Sequence, residues 1–201
     1  MGDKGERTRG RILKAAFALF AQRGYTAVSM QEICERAGMS KGGLYRHFAD
    51  KGELFAGLLR ALQADEAQAE REQMEAGVPA PRILASFLAR AQGRLDAAQP
   101  GIERALYEYC LENREGAGPG VLEAQYRRGR DVLTALIDYG VRRGELCAPH
   151  PQAADAVLFL LEGLQMVSEV MPVPPETARG VCDQIFALLG AGGWRDAACE
   201  S

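Results

Sequence analysis

Lysine, tyrosine, histidine and serine side chains gather near the amino end of the chain, beside two adjacent glycines. They are Ser29, Ser40, Lys41, Gly42, Gly43, Tyr45, His47 and Lys51. Hydroxyl, imidazole and ammonium groups donate hydrogen bonds to phosphates, and a lysine on the first turn of a helix can also reach guanine O6 and N7. The two glycines would let the backbone come close to a duplex. The pattern therefore indicates contact with double-stranded DNA.

Two short helices are expected to position these side chains. Residues 29–32 (Ser-Met-Gln-Glu) form a capping box that begins a helix running to about Ala37. Gly38 is expected to end it, since a left-handed terminal residue suits glycine best. Ser40 can then cap a second short helix over 41–48, with Leu44 pointing to the core. This second helix would enter a major groove.

The flanking segments complete a helix-turn-helix unit. A bracing helix is expected from Thr8, a plausible N-cap, to Gly24, a plausible terminal residue. Its apolar stripe repeats at helical spacing through Ile12, Ala16, Leu19 and Phe20. Residues 50–53 (Asp-Lys-Gly-Glu) form a further capping box that begins a long helix. A helix-turn-helix pattern preceded by a bracing helix results.

The rest of the chain is also expected to be helical. Helices are predicted near 81–98, 102–114, 120–143, 152–171 and 175–190, with breaks at 77–81, 100–101, 116–120, 144–151 and 172–175. The segment 153–170 is apolar on more than one side, so one side needs a cover beyond its own domain. A partner subunit would provide that cover, although burial inside the monomer is the alternative. Apolar residues of the last helix, at Val181, Ile185, Leu188 and Leu189, could complete a four-helix dimer interface.

Charge is distributed unevenly along the 201 residues. Residues 1–60 carry 11 Lys/Arg and 6 Asp/Glu, a net +5, whereas residues 61–201 carry 13 and 21, a net −8. A basic module joined to an acidic one predicts a polyanionic partner at the amino end only. Compositional accident is the alternative that charge alone leaves open.

Nothing in the sequence is typical of an enzyme or a metal site. The chain has no GxSxG, P-loop or HExxH sequence, and its two histidines, His47 and His150, lack ligand-spaced neighbours. Five cysteines without a CxxC pair (34, 110, 147, 182 and 199) suggest reduced thiols in a cytoplasmic protein. No apolar run approaches the roughly 18 residues of a membrane helix. We predict no catalytic residues, no metal, no cofactor and no membrane partner.

Across roughly residues 8–60 the chain resembles the DNA-binding region of the tetracycline-repressor (TetR) family. The resemblance is carried by Gly24-Tyr25-x3-Ser29-Met30-x2-Ile33-x3-Ala37-Gly38-Met39-Ser40-Lys41-Gly42-Gly43-Leu44-Tyr45-Arg46-His47-Phe48-x2-Lys51-x2-Leu54-Phe55. It implies phosphate contacts for Ser29, Tyr45, His47 and Lys51, and base or groove-edge contacts for Lys41, Gly42 and Arg46. Cys34 stands where the family often has alanine, and a small buried thiol can replace it.

The resemblance also implies a fold and a function. It implies an all-α homodimer with a three-helix helix-turn-helix domain over 1–55 and a helical effector-binding and dimerisation domain over 56–201. Such a regulator, most often a repressor, binds a palindromic operator and releases it when a small molecule binds. A DNA-binding architectural or interaction protein with no sequence preference and no effector is the alternative.

Bulky or soft residues on the central helices are the candidates for effector contacts. They are Phe87, Tyr107, Cys110, Tyr126, Phe159 and Met166. Such residues line apolar pockets, but an ordinary hydrophobic core explains each of them equally well. Carboxylates at Glu108 and Glu112 stand near aromatic rings, which would suit a lipophilic cation. A solvated acidic face is the alternative for these glutamates.

Overall fold

The structure is a computed structural model that describes residues 3–93, 101–147 and 150–191, and every regular element in these ranges is a helix. The prediction of an all-α fold is confirmed. The helices are α1 (Asp3–Arg23), α2 (Met30–Ala37), α3 (Lys41–Tyr45), α4 (Lys51–Glu75), α5 (Ala80–Gly93), α6 (Glu103–Glu112), α7 (Gly118–Arg142), α8 (Ala153–Ser168) and α9 (Pro175–Leu188).

Two helix ends near the amino terminus differ from the prediction. α1 begins at Asp3 rather than after Thr8, because the residues before Thr8 include good helix formers and no proline. α3 ends at Tyr45, three residues earlier than predicted. The backbone N–H groups of His47 and Phe48 both donate to the carbonyl of Leu44, at 2.8 and 3.1 Å, so the chain tightens into a turn there.

The later helices occupy the predicted segments with shifted ends. α5 is described to Gly93, and the predicted remainder to 98 lies outside the described residues. α6 and α8 each end two or three residues earlier than predicted. α7 begins at Gly118, inside the segment 116–120 that was predicted to be a loop. Pro119 accounts for this start, since the first turn of a helix needs no backbone N–H from it.

The chain divides into two compact units. The first contains the described residues up to 64 together with 101–123, and the second contains 65–93, 124–147 and 150–191. The division falls within α4, after Ala64, whereas the predicted domain boundary follows Phe55. α6 belongs to the first unit, although it was predicted as part of the effector domain. The functional assignment of 1–55 and 56–201 stays a prediction.

The core of the first unit holds the two short helices in place. The predicted inward residues of α1 are buried, and so are Leu44 and Phe48 on either side of the turn that ends α3. Four rings pack next to one another with centroids 5.0–5.7 Å apart: Phe20, Tyr25, Phe55 and Tyr109. Arg9 of α1 lies over the ring of Phe48, 4.4 Å from its centroid. α3 is therefore fixed by packing and not by its own five residues.

The core of the second unit combines α5, α7, α8 and α9. Its most deeply buried side chains include Ile83, Leu88, Leu133, Val157 and Phe186. The buried carboxylate of Glu70, on α4, pairs with Arg90 of α5. Cys34, Cys110, Cys147 and Cys182 are free thiols, and Cys199 lies outside the described residues.

Two kinds of feature are absent from the described ranges. Among the helices of those ranges, none combines the length and the hydropathy that a bilayer span requires. No cluster of three or more His, Cys, Asp or Glu side chains there could hold a metal ion.

Candidate nucleic-acid interface

The predicted capping box at Ser29 is confirmed. It engages both the side-chain hydroxyl and the backbone N–H of that residue. The Ser29 hydroxyl accepts from the Glu32 N–H at 3.3 Å and donates to Glu32 Oε2 at 2.7 Å, while the Ser29 N–H donates to the same oxygen at 2.8 Å. Arg23 donates to the other carboxylate oxygen at 2.6 Å. The Ser29 hydroxyl and Arg23 together lower the pKa of Glu32 to about 2. A phosphate contact by Ser29 would therefore require its hydroxyl hydrogen to leave Glu32.

Ser40 caps α3 as predicted and keeps its hydroxyl hydrogen available for an outward bond. Its oxygen accepts from the Gly43 N–H at 3.2 Å. Ser40 is exposed, so a donor bond to a phosphate is sterically open.

The two glycines of α3 have different surroundings. Gly42 is exposed, and a Cβ placed on it would meet nothing within 4 Å. Gly43 is buried, and a Cβ there would lie 3.2 Å from Ser40 Oγ and 3.3 Å from Met39 Cε. A close approach of the backbone to DNA is therefore possible at Gly42. At Gly43 the missing side chain makes room for the cap, and its contact with DNA stays a prediction.

Polar side chains cover the outer side of α3 and the turn that follows. Lys41, Tyr45 and Arg46 are exposed, His47 is half-buried, and Leu44 between them is completely buried. Lys41 Nζ lies 6.0 Å from the centroid of the Tyr45 ring. Lys41 and Tyr45 are thus neighbours on the exposed side of α3, with Leu44 turned inward.

Lys51 has intramolecular partners that the sequence did not reveal. Its Nζ donates to the Tyr25 carbonyl at 3.1 Å and lies 4.1 Å from the centroid of the Tyr25 ring. Burial first, and then the charge of Glu112, raise the pKa of Tyr25 to about 12, so the ring stays neutral. An ammonium has three donors, so Lys51 can hold Tyr25 and still donate to a phosphate.

The cap of α4 also departs slightly from the predicted box. Asp50 Oδ1 accepts from the Glu53 N–H at 2.7 Å, as predicted. The Glu53 carboxylate, however, accepts from the N–H of Ala49 and not from that of Asp50, at 2.6 Å. Asp50 and Glu53 thus each accept a backbone N–H at the start of the helix, and Lys51 is the first residue of α4.

Two glutamates of α6 contact the loop before α2. Glu108 Oε2 accepts from the Thr26 N–H at 3.0 Å, and the Thr26 hydroxyl lies 3.5 Å from Glu112 Oε2. Both carboxylates, which were candidates for binding a lipophilic cation, thus have a partner within the protein. The two residues of each contact are 82 and 86 positions apart in the sequence. No local spacing pattern could therefore predict these contacts.

The six candidate effector residues do not lie in one compact unit. Tyr107 and Cys110 belong to the first unit, and the other four to the second. Phe87 packs against the core of the second unit. Tyr126 donates its hydroxyl hydrogen to Asp155 Oδ1, and its ring lies 5.5 Å from that of Phe159. The six are therefore divided between the two units, and their role in effector binding stays a prediction.

An apolar face of α8 points away from the core of the second unit. We call it the α8 outer face; it comprises Phe159, Leu160, Met166 and Val167, continued after the helix by Val170 and Met171. Phe159 is 66% exposed and Met166 is 54% exposed. The opposite side of α8, with Val157 and Leu161, is buried. The prediction that this helix is apolar on two sides is confirmed.

Two of the four apolar residues expected at the dimer interface are not available for it. Ile185 and Leu189 are completely buried in the second unit, and Val181 and Leu188 are partly buried against the same core. Because they are completely buried, Ile185 and Leu189 cannot contact a partner subunit.

Comparison with known proteins places this architecture in a family. A model for bacterial regulatory proteins of the tetR family matches residues 12–58. Over 52 residues the chain is 50% identical to the transcriptional activator FasR of Mycolicibacterium smegmatis, a match covering 26% of this chain and 24% of FasR. Over 147 residues it is 30% identical to the transcriptional repressor KstR2 of Rhodococcus jostii, covering 71% of this chain and 69% of KstR2.

A solved structure extends the likeness to the whole fold. E. coli NemR in its reduced form superposes with a TM-score of 0.76, at 17% identity, over 90% of this chain and 97% of that chain. At this identity the superposition bears on the fold alone. The family model and the match to KstR2 bear on descent, and together they show that the chain belongs to the TetR family of helix-turn-helix transcriptional regulators.

Proposed function

We propose that the protein is a ligand-responsive transcriptional repressor that binds a palindromic DNA operator as a homodimer. The observation that carries the DNA-binding part is the exposed surface of α3 and of the residue after it, where Lys41, Gly42, Tyr45 and Arg46 are exposed and Leu44 is buried. KstR2, which matches over the longer stretch, is named a repressor and FasR an activator. The longer match supports repression.

In the proposed complex, α3 enters the major groove. Lys41 and Arg46 would reach base edges, and Gly42 would let the backbone approach the groove. The phosphate contacts would come from the residues around the helix, namely Ser29, Ser40, Tyr45, His47 and Lys51. Gly43 would support them by leaving room for the Ser40 cap. Phosphate contacts set the register, and the few base contacts set the sequence preference.

The dimer would form through the α8 outer face. Large apolar side chains exposed along one helix face cost free energy in water, at about 25 cal/mol for each Å² left uncovered. A second copy of the chain offers the same face, and a two-fold axis lets each face cover the other. Two DNA-binding units would then be presented in the fixed relation that a palindrome requires.

The effector would bind among the helices of 80–170. It would favour a conformer in which α4 has swung, so that Lys51 and α3 no longer match the half-site spacing. By linkage, operator and effector must weaken each other's binding by the same factor. A compound that saturates the 56–201 domain and leaves operator affinity unchanged would contradict this part of the proposal.

Family members are transcription regulators, and we propose that this chain likewise has no catalytic activity. DNA is the partner we propose, which places the protein in the cytoplasm with the chromosome. The proposed residues act by hydrogen bonding and charge, so no cofactor enters the mechanism.

Competition between DNA duplexes tests the proposal against sequence-independent binding. A duplex recovered by selection from a random pool is bound, and random-sequence duplex of equal length is added as competitor. A specific regulator should prefer the selected duplex by at least about 10³-fold, and its affinity should fall steeply with salt. Equal competition by both duplexes would favour an architectural protein instead.

A further inference from the structure

The loop between α1 and α2 lies directly against α6. The Thr26 N–H donates to Glu108 Oε2 at 3.0 Å. At Gly24 the backbone has φ +77°, and a side chain there would collide with the same carboxylate. Glycine is therefore needed at this position both for the left-handed backbone and for the close approach of Glu108. The carboxylate rests on the loop backbone over residues 24–26.

Glu108 is held in place on its own helix. Arg104, one turn earlier, donates its Nε–H to Glu108 Oε1 at 2.9 Å. Burial alone would raise the pKa of Glu108, but the Thr26 N–H and Arg104 outweigh it and lower that pKa. Glu108 is thus an ionised acceptor with both oxygens engaged, and bonds to a charged acceptor are the stronger kind.

The other side of the same loop holds Lys51. The Tyr25 carbonyl accepts from Lys51 Nζ, and the Tyr25 ring lies beneath that ammonium. The ring also packs edge-on against Tyr109, the neighbour of Glu108 on α6, with centroids 5.0 Å apart. A continuous set of contacts therefore leads from Glu108 through the loop backbone to the ammonium of Lys51.

We propose that Glu108 is a positioning residue for DNA binding, which acts by holding the loop that places Lys51. The inference rests on the proposed function, because Lys51 is taken to bind a phosphate. What matters in this role is the acceptor oxygen on the Thr26 N–H, and not the negative charge. A purely electrostatic role predicts the opposite, since a carboxylate near DNA repels phosphates and its removal would strengthen binding.

Four proteins, titrated with the selected duplex, separate these roles: the wild type, Glu108→Ala, Glu108→Gln and Glu115→Ala. Glu108→Ala should lower affinity by about tenfold or more, as expected for loss of a hydrogen bond to a charged group. Glu108→Gln keeps one acceptor oxygen for the Thr26 N–H but loses the oxygen that accepts from Arg104, so it should bind more tightly than Glu108→Ala and less tightly than the wild type. Glu115 is exposed in the turn after α6, so Glu115→Ala removes the same charge and should not weaken binding.

A double-mutant cycle tests whether Glu108 acts through Lys51. Lys51→Ala should cost less affinity in the Glu108→Ala background than in the wild type, since residues in one network are not additive. Thermal unfolding of each variant shows that the compared proteins are folded. If Glu108→Ala does not fold, Glu108→Asp carries the test: it keeps the charge, withdraws the carboxylate by one methylene and should weaken binding.

Three results would overturn the inference: Glu108→Ala (or Glu108→Asp in its place) binding as tightly as the wild type, Glu108→Gln binding as weakly as Glu108→Ala, or an additive cycle. Failure of the proposed function looks different. In that case the wild type itself shows no preference for any selected duplex, and the substitutions cannot lower a specific affinity.

Discussion

Lys41 and Lys51 are both candidate DNA contacts, but their surroundings suit them to different tasks. Lys41 is exposed on the first turn of α3, where its long side chain can reach a base edge. Lys51 is half-buried and held by the carbonyl and ring of Tyr25. A held ammonium acts as a fixed point charge, which suits a phosphate and carries no sequence information.

Alanine substitution should separate the two lysines. Lys51→Ala should weaken binding to all sequences alike and reduce the salt slope by about 1. Lys41→Ala should cost about 1–3 kcal/mol on the selected duplex and less on single-base variants, so base preference relaxes. Titrations of the selected duplex and its variants at several salt concentrations measure both effects. Equal loss on every sequence after Lys41→Ala would refute its role in base reading.

At the scale of single residues, the sequence predicts what local spacing controls. Ser29, Glu32 and Ser40 could be identified as caps because a cap and its partner are three residues apart. The bonds of Lys51 to Tyr25 and of Glu108 to Thr26 join residues 26 and 82 positions apart. Such pairs depend on how helices pack, and no residue spacing encodes them.

Individual helices show the same division between local and tertiary control. Leu44 is buried and the polar Lys41 and Tyr45 are exposed, so the inward side of α3 could be predicted from its pattern. The end of α3 at Tyr45 could not, because the amides of His47 and Phe48 converge on one carbonyl as the turn closes onto the core. The inward use of Ile185 on α9 likewise follows from packing against the second unit and not from its spacing.

The α8 outer face should be the dimer contact. Leu160→Glu places a charge in that face, and burying an unpaired carboxylate costs several kcal/mol. The dissociation constant of the dimer should rise by about 100-fold or more, since each 1.4 kcal/mol is a factor of ten. Light scattering after gel filtration, or sedimentation equilibrium, measures the change.

Leu111→Glu provides a matched control for that substitution. Leu111 is 72% exposed on α6, outside the α8 outer face, and its replacement adds the same charge. This variant should keep the oligomeric state of the wild type. A Leu160→Glu protein that remains as dimeric as Leu111→Glu would show that α8 does not form the contact.

For the molecule as a whole, charge and architecture both favour the proposed DNA contact near the amino end. The net +5 of residues 1–60 coincides with α1, α2, α3 and the start of α4, and the net −8 of the remaining residues would disfavour a polyanion there. The all-α fold and the helix-turn-helix could be predicted from the sequence. The inclusion of α6 in the first unit could not, because that helix joins it by tertiary contacts with Tyr25 and Phe55 through Tyr109.

The sequence of the DNA that the protein selects from a random pool tests the central claim most directly. The account predicts an inverted repeat whose half-site centres lie roughly 34–36 Å, or about one helical turn, apart, because two copies of α3 would read equivalent grooves. The recovered duplex should bind two chains together. A single unrepeated site bound by one chain, or no enrichment of any sequence at low salt, would contradict the account.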